Sequence, residues 1–110
     1  MSFVAIIGAG AIGGSLAHKL AGRHRVGELR LIDTGGTIAE GKALDILQSS
    51  PVEGFGTRVT AASSLMSASG ADVIVIADPA SGKGEHEGEA GLALVRQIAA
   101  IEARAPIVFA

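Results

Sequence analysis

The sequence predicts an α/β fold: a doubly wound parallel sheet of about five strands in the order 3-2-1-4-5, with helices on both faces. Two observations carry this prediction. Strand-like apolar runs alternate with stretches of helical spacing along the whole chain, and such alternation requires parallel pairing through right-handed crossovers. Hydrophobic residues make up 48% of the chain and aromatic residues only 3%. The core must therefore consist of Ala, Val, Ile and Leu, as in sheets that are buried on both faces.

The composition of the 110 residues excludes several classes of protein. A net charge of -2 leaves no basic surface for nucleic acid, and the absence of cysteine excludes disulfides, a thiol nucleophile and zinc-thiolate sites. The apolar runs are too short to span a bilayer, and the N-terminus leads directly into a strand instead of a charged signal segment. We therefore expect one domain over residues 1–110 in the cytoplasm, without a metal site, a membrane partner or a separate catalytic domain.

The first predicted unit joins an apolar strand, residues 3–7, to the glycine pattern GAGAIG of residues 8–13. Gly8 allows a tight turn, Gly10 lets the backbone approach a pyrophosphate, and Gly13 lets the following helix lie close to the strand. The N-terminus of that helix offers unpaired N–H groups and a partial positive charge to an anion. This strand–turn–helix unit is typical of dinucleotide binding, and the alternative is tight packing without a ligand.

The helix after the glycine pattern carries Ile12, Leu16 and Leu20 at helical spacing, and we expect this face to pack on the sheet. His18 lies off that face and is expected at the surface. A second apolar strand, residues 29–32, ends at Asp33. A carboxylate there can accept hydrogen bonds from both ribose hydroxyls and would repel a 2′-phosphate, so NAD is favoured over NADP.

The remaining elements follow from the same patterns. A capping box at residues 37–40 opens a second helix that carries Ile38, Leu44 and Leu47. The elements predicted beyond it are a strand over 57–61, a helical turn over 63–69, a buried strand over 71–77, a loop over 80–88, a helix from residue 89 and a strand from residue 106. Leu92, Val95, then Ile98 or Ala99, and Glu102 stand at helical spacing along the last helix.

Five stretches carry a resemblance to a known family. They are residues 6–17 (IIGAGAIGGSLA), 31–33 (LID), 41–46 (GKALDI), 50–55 (SPVEGF) and 70–75 (GADVIV). Together they resemble the malate/lactate dehydrogenase family, and specifically its malate dehydrogenase branch. The resemblance implies a Rossmann-like NAD-binding domain, equivalent to the N-terminal half of such an enzyme.

The resemblance also implies a set of cofactor-binding residues. Asp33 would bind the adenosine ribose, and Thr34 and Ala77 would also contact the cofactor. The residues that would face the pyrophosphate are Gly8, Gly10, Ala11, Ile12 and Gly13.

Three departures from the family predict weak NAD binding and no hydride transfer. The chain ends with the fifth strand, before the family's catalytic histidine and its aspartate partner. Gly82 and Gly88 stand where the family has two substrate-binding arginines, and Lys83 alone is a poor substitute for a guanidinium fork. Asp78 and Pro79 stand where a small residue and a glycine line the cofactor, so that a negative charge is added and an N–H group is lost.

No residue is assigned a catalytic role, because His86 lies on a glycine-rich stretch without a fixed partner. Three functions remain open. The chain is a module that binds NAD(H) or an adenine nucleotide, a degenerate structural module that self-associates, or the N-terminal component of a malate dehydrogenase completed by another chain. A homodimer or another protein partner is expected through the open strand edge at residues 107–109 or through the helix near Glu40, which resembles the family's dimer-interface helix.

Overall fold

The computed structural model describes residues 2–21, 26–33, 38, 40–45, 58–78, 88–102 and 104–110. The strands are β1 (Ser2–Ile7), β2 (Val26–Ile32), β3 (Arg58–Ala62), β4 (Val73–Ile76) and β5 (Ile107–Phe109). They pair in parallel in the order β3-β2-β1-β4-β5, which confirms the predicted order. Strand β2 begins three residues earlier than predicted because Val26 already pairs with Ser2 at the start of β1.

Helical segments separate consecutive strands in the chain. They are α1 (Ala11–Ala21), residues 40–45 (α2), the short 3-10 helix Leu65–Ala68 and α3 (Gly88–Ile101). The 3-10 helix confirms the helical turn predicted over residues 63–69. Helix α3 begins at Gly88, one residue earlier than predicted and at the last residue of the predicted loop. The rest of that loop, residues 80–87, lies outside the described residues.

The core occupies both faces of the sheet, because successive side chains of a strand point to opposite faces. Val4 and Ile6 of β1 pack in a cluster with Ala17 and Ala21 of α1. Ala5 and Ile7, the alternate residues of the same strand, pack in the second cluster, which includes Ile74 of β4 and Ile98 of α3. The sheet is therefore covered on both sides, as its aliphatic composition predicts.

The buried face of α1 differs from the prediction. Ile12 is 52% exposed, Leu16 and Leu20 are only partly buried, and the fully buried residues are Gly13, Ala17 and Ala21. These three small residues recur every four positions, so they form one stripe on which the helix can approach the sheet closely. The larger side chains flank that stripe. His18 is exposed, as predicted.

The apolar faces predicted for the later helices are also only partly buried. On and before α2, Ile38 and Leu44 are exposed, whereas Ala43 is buried; Leu47 lies outside the described residues. In α3, Ile98 is fully buried, while Leu92 is half-exposed. Spacing predicts which apolar side chains share a face of a helix. How deeply each of them is buried depends on where that part of the helix lies over the sheet.

Candidate functional site

The predicted glycine turn lies at the carboxyl end of β1. Gly8 has a φ of +112°, a conformation that other residues rarely adopt, and its N–H donates to the carbonyl oxygen of Ile32 at 2.8 Å. A Cβ added to Gly8 would lie 2.5 Å from the carbonyl oxygen of Asp78. The turn is thus held between the ends of β2 and β4, and only glycine fits there.

Gly13 brings α1 onto this turn. A Cβ at Gly13 would lie 1.9 Å from the carbonyl oxygen of Gly8 and 3.3 Å from the Cβ of Ala77. The N–H of Gly10 donates to the backbone carbonyl of Asp78 at 3.0 Å. The helix therefore begins in direct contact with the strand ends, as the role assigned to Gly13 requires.

Asp33 stands beside the glycine turn, at the carboxyl end of β2. It is only 6% exposed, and its Oδ2 accepts a hydrogen bond from the N–H of Ala9 at 2.8 Å. Its own N–H donates to the carbonyl oxygen of Ala62, which fixes the backbone on the β3 side. The structure thus brings together the acid and the turn, which are separated by 24 residues in the chain.

Asp78 follows β4, and its carboxylate caps the N-terminus of α1. Its Oδ1 accepts from the N–H of Gly13 at 2.9 Å, and its Oδ2 accepts from the N–H of Ile12 at 3.2 Å. Partial burial raises the pKa of this carboxyl, but the backbone N–H groups of Gly13, Ile12 and Asp78 itself and the charge of Lys42 outweigh burial and hold the pKa below 3.8. The carboxylate is therefore charged at neutral pH, and it faces the helix instead of turning away.

Lys42 is a site residue that the sequence analysis did not single out. It projects from α2, and its Nζ donates to the carbonyl oxygen of Gly10 at 2.7 Å. The same ammonium group contributes to the low pKa of Asp78. The only signal in the sequence is its place in the stretch 41–46, which carried the family resemblance.

The structure unites most of the predicted cofactor-binding set at one edge of the sheet. Ala11 and Ile12 are exposed at the start of α1, and Ala77 is buried beneath it, with its N–H bonded to the carbonyl oxygen of Ile7. Ala77 therefore packs beneath the start of α1, next to Gly13. Several other residues lie outside the described part of the chain: Thr34, Pro79, Gly82, Lys83 and His86.

Other features of the described residues are structural. A cleft of about 310 Å³ at the opposite edge of the sheet is lined in part by Asp72 and Glu102. Their carboxylates already accept the backbone N–H groups of Phe3 and Gly70, respectively. Within the described ranges, we find no group of three or more metal-ligating side chains. None of the helices in those ranges has the length and apolar character needed to cross a membrane.

Solved dehydrogenase structures share this fold. Malate dehydrogenase from Salinibacter ruber superposes with a TM-score of 0.82 at 26% identity, over 98% of this chain and 36% of the enzyme. Malate dehydrogenase from Picrophilus torridus gives 0.80 at 28% identity, over 98% and 37%. Lactate dehydrogenase from Cryptosporidium parvum, solved with lactic acid and nicotinamide adenine dinucleotide, gives 0.64 at 33% identity, over 68% and 23%. The chain thus spans about a third of the length of these two malate dehydrogenases.

The match to a protein family covers nearly the whole chain. Residues 3–105 match the NAD-binding domain of lactate/malate dehydrogenase. This range contains the glycine turn, Asp33 and Lys42, and it includes four of the five strands. NAD is the cofactor of this domain family. The chain therefore belongs to the family of lactate/malate dehydrogenase NAD-binding domains, and it has their Rossmann-like fold.

Proposed function

We propose that this chain forms a single domain, residues 1–110, that binds NAD(H) or an adenine nucleotide weakly at the glycine turn and does not transfer hydride by itself. The observation that carries the proposal is the position of Asp33. Its buried carboxylate is held 2.8 Å from the N–H of Ala9, beside the turn that leads into α1. A carboxylate at this position can accept hydrogen bonds from the two hydroxyls of an adenosine ribose.

The residues at this edge fit the adenosine half of NAD better than the rest of the cofactor. A Cβ at Gly8 or Gly13 would meet the chain's own backbone atoms, so these glycines let the turn and α1 pack closely against the strand ends, as the first and third glycines of a dinucleotide-binding turn do. In a complete enzyme, bound NAD would supply the acceptor for a hydride from an alcohol substrate. The part that these residues would play is to bind and orient the adenosine end.

The chain's own sequence supports the absence of hydride transfer. Gly82 and Gly88 stand where the resemblance places two arginines, and Gly88 begins α3. Orienting a dicarboxylate needs the planar fork of a guanidinium group, which glycine cannot supply. Without an oriented substrate, a bound nicotinamide has no partner for transfer. A purified chain that oxidises malate at an enzyme-like rate would overturn this part of the proposal.

Calorimetric titration with NAD, NADP, AMP and ADP-ribose tests nucleotide binding. We expect weak, saturable binding with a preference for NAD over NADP, since Asp33 repels a 2′-phosphate. Asp33→Ala removes hydrogen bonds to a charged acceptor and should weaken NAD by roughly tenfold or more while reducing the preference over NADP. Asp72→Ala removes the same charge at the opposite edge of the sheet and should leave both affinities unchanged. Absence of binding at millimolar concentrations contradicts the proposal.

A second candidate is a structural module that self-associates. It is favoured by apolar side chains that stay exposed in this fold: Ile38 before α2, Leu44 in α2, and Val108 and Phe109 on the edge strand β5. An open apolar strand edge can pair with another chain. Light scattering over a wide concentration range tests this candidate, and Leu44→Lys and Val108→Lys separate the two surfaces. A strict monomer at high concentration counts against it.

The third candidate is an N-terminal component of a malate dehydrogenase that another chain completes. It is favoured by the superposition of 98% of this chain on about a third of the Salinibacter ruber enzyme. Isolation of the protein from its native cell, followed by an assay of oxaloacetate reduction, tests it. An inactive protein that purifies without a partner defeats this candidate.

We also propose a cytoplasmic location, consistent with a chain that lacks cysteine. Subcellular fractionation checks this location.

A further inference from the structure

Asp78 places a negative charge on the N–H groups that a nucleotide's phosphate would need. Its two carboxylate oxygens accept from Gly13 at 2.9 Å and from Ile12 at 3.2 Å. These N–H groups belong to the stretch expected to face a pyrophosphate. Resting on the nucleotide site proposed above, we propose that Asp78 is an internal phosphate substitute, and that the site consequently binds adenosine at least as tightly as AMP or ADP-ribose.

The position of Asp78 does not depend on its side chain alone. Asp78 lies two residues after the end of β4, and its backbone carbonyl accepts the N–H of Gly10 at 3.0 Å. The neighbouring Ala77 is buried, and its N–H is bonded to Ile7 of β1. Because the backbone is tied to the glycine turn and to the sheet, the carboxylate starts from a fixed point beside α1. A phosphate can reach the helix only if the Asp78 side chain rotates away.

The local charge balance also disfavours a phosphate. The N-terminus of a helix carries roughly half a positive charge, whereas an ionised carboxylate carries a full negative charge. Lys42 offsets part of this charge, but its ammonium group already donates to the carbonyl oxygen of Gly10. Asp33 adds a second acid at the same edge of the sheet. Each backbone N–H has one hydrogen to donate, so phosphate and carboxylate compete for the same donors.

The adenosine end of a ligand is not subject to this competition. Asp33 is held by Ala9, whereas Asp78 is held by Ile12 and Gly13. The two acids therefore act on different parts of a ligand: one on ribose hydroxyls, the other on phosphate. A neutral nucleoside can use the first acid without displacing the second.

The test compares adenosine, AMP and ADP-ribose by calorimetry with four proteins: the wild-type chain, Asp78→Ala, Asp78→Asn and Asp72→Ala. In the wild type, the phosphorylated ligands should bind no more tightly than adenosine. Asp78→Ala should strengthen ADP-ribose by about tenfold or more and leave adenosine unchanged, because charge-assisted hydrogen bonds to phosphate become available. Asp78→Asn keeps the size of the side chain and loses its charge, so its effect should be intermediate. Asp72→Ala should behave as wild type.

A second measurement uses inorganic phosphate and does not require nucleotide binding. In Asp78→Ala, phosphate should shift the NMR signals of the Ile12 and Gly13 amides, whereas in the wild type it should not. If ADP-ribose binds much more tightly than adenosine to the wild type, and Asp78→Ala changes nothing, the inference is wrong and the nucleotide site stands. If neither adenosine nor a nucleotide binds to any variant, the proposed function fails. Phosphate that leaves both amides of Asp78→Ala unshifted overturns the inference by itself.

Discussion

Replacing Gly13 by alanine tests whether α1 is seated on the glycine turn as described. The added Cβ would lie 1.9 Å from the carbonyl oxygen of Gly8, roughly 1 Å inside the 3.0 Å below which such contacts are essentially never found. The obstacle is backbone, so no side-chain rotation relieves it, and α1 must move away from β1. This movement also disturbs the hydrogen bond between the Gly13 N–H and Asp78.

Two costs and one gain determine the expected magnitude. Overpacking of a close contact costs about 1–3 kcal/mol, and a weakened hydrogen bond to a charged acceptor costs about 1.5–3 kcal/mol. Alanine in place of glycine within a helix returns about 1 kcal/mol. We therefore expect Gly13→Ala to lower the free energy of unfolding by about 3 kcal/mol, a large share of the stability of a small domain.

Urea denaturation followed by circular dichroism measures this loss, and Gly41→Ala is the matched control. Gly41 lies in α2, and a Cβ there would meet no atom within 4 Å. The control should therefore be unchanged or stabilised by up to about 1 kcal/mol through helix propensity. If Gly13→Ala is as stable as Gly41→Ala, then α1 does not contact the turn in this way and the reasoning fails.

Further predictions concern charge and packing. Because the pKa of Asp78 is lower in the folded chain, its contribution to stability is present above pH 3.8 and is lost as the pH falls through the lowered pKa. The difference in unfolding free energy between wild type and Asp78→Ala, measured by urea titration, should therefore shrink over this acid range. Lys42→Met should raise the pKa of Asp78, as followed by carbon NMR of its carboxyl, and an unchanged pKa would contradict the assigned contact. Ile98 is fully buried, so Ile98→Ala should lower the free energy of unfolding by about 2–5 kcal/mol in thermal or urea unfolding. Leu92 is half-exposed, so Leu92→Ala should lower it by less than about 1 kcal/mol. Equal losses would contradict the packing of α3.

The parallel pairing could be predicted from the sequence because strands and helices alternate and crossovers are right-handed. The order of the strands followed from the dinucleotide-type glycine turn, because alternation alone also fits other doubly wound orders. The turn could also be predicted, since Gly8 and Gly13 have steric roles that no other residue fills. The position of Asp33 beside the turn could be predicted from its distance along the chain and its place after an apolar strand. In each case a local pattern, repeated in many proteins, determines the outcome.

The remaining details depend on contacts between distant parts of the chain. By spacing, Ile12 belongs to the apolar face predicted for α1. It is nevertheless half-exposed, because the stripe of small residues Gly13, Ala17 and Ala21 faces the sheet instead. A charge near the pyrophosphate was expected from Asp78, but its two hydrogen bonds to α1 depend on the meeting of β4 and the glycine turn. Lys42 reaches Gly10 across 32 residues of sequence, which no local pattern encodes.

The most direct test of nucleotide binding at the carboxyl edge of the sheet is an NMR titration of the wild-type chain with NAD. Amide shifts should concentrate at Gly8, Ala9 and Asp33, saturate with rising NAD and be smaller for NADP. An absence of shifts at millimolar NAD, or shifts confined to β5 and the far end of α3, would contradict a nucleotide site at the glycine turn.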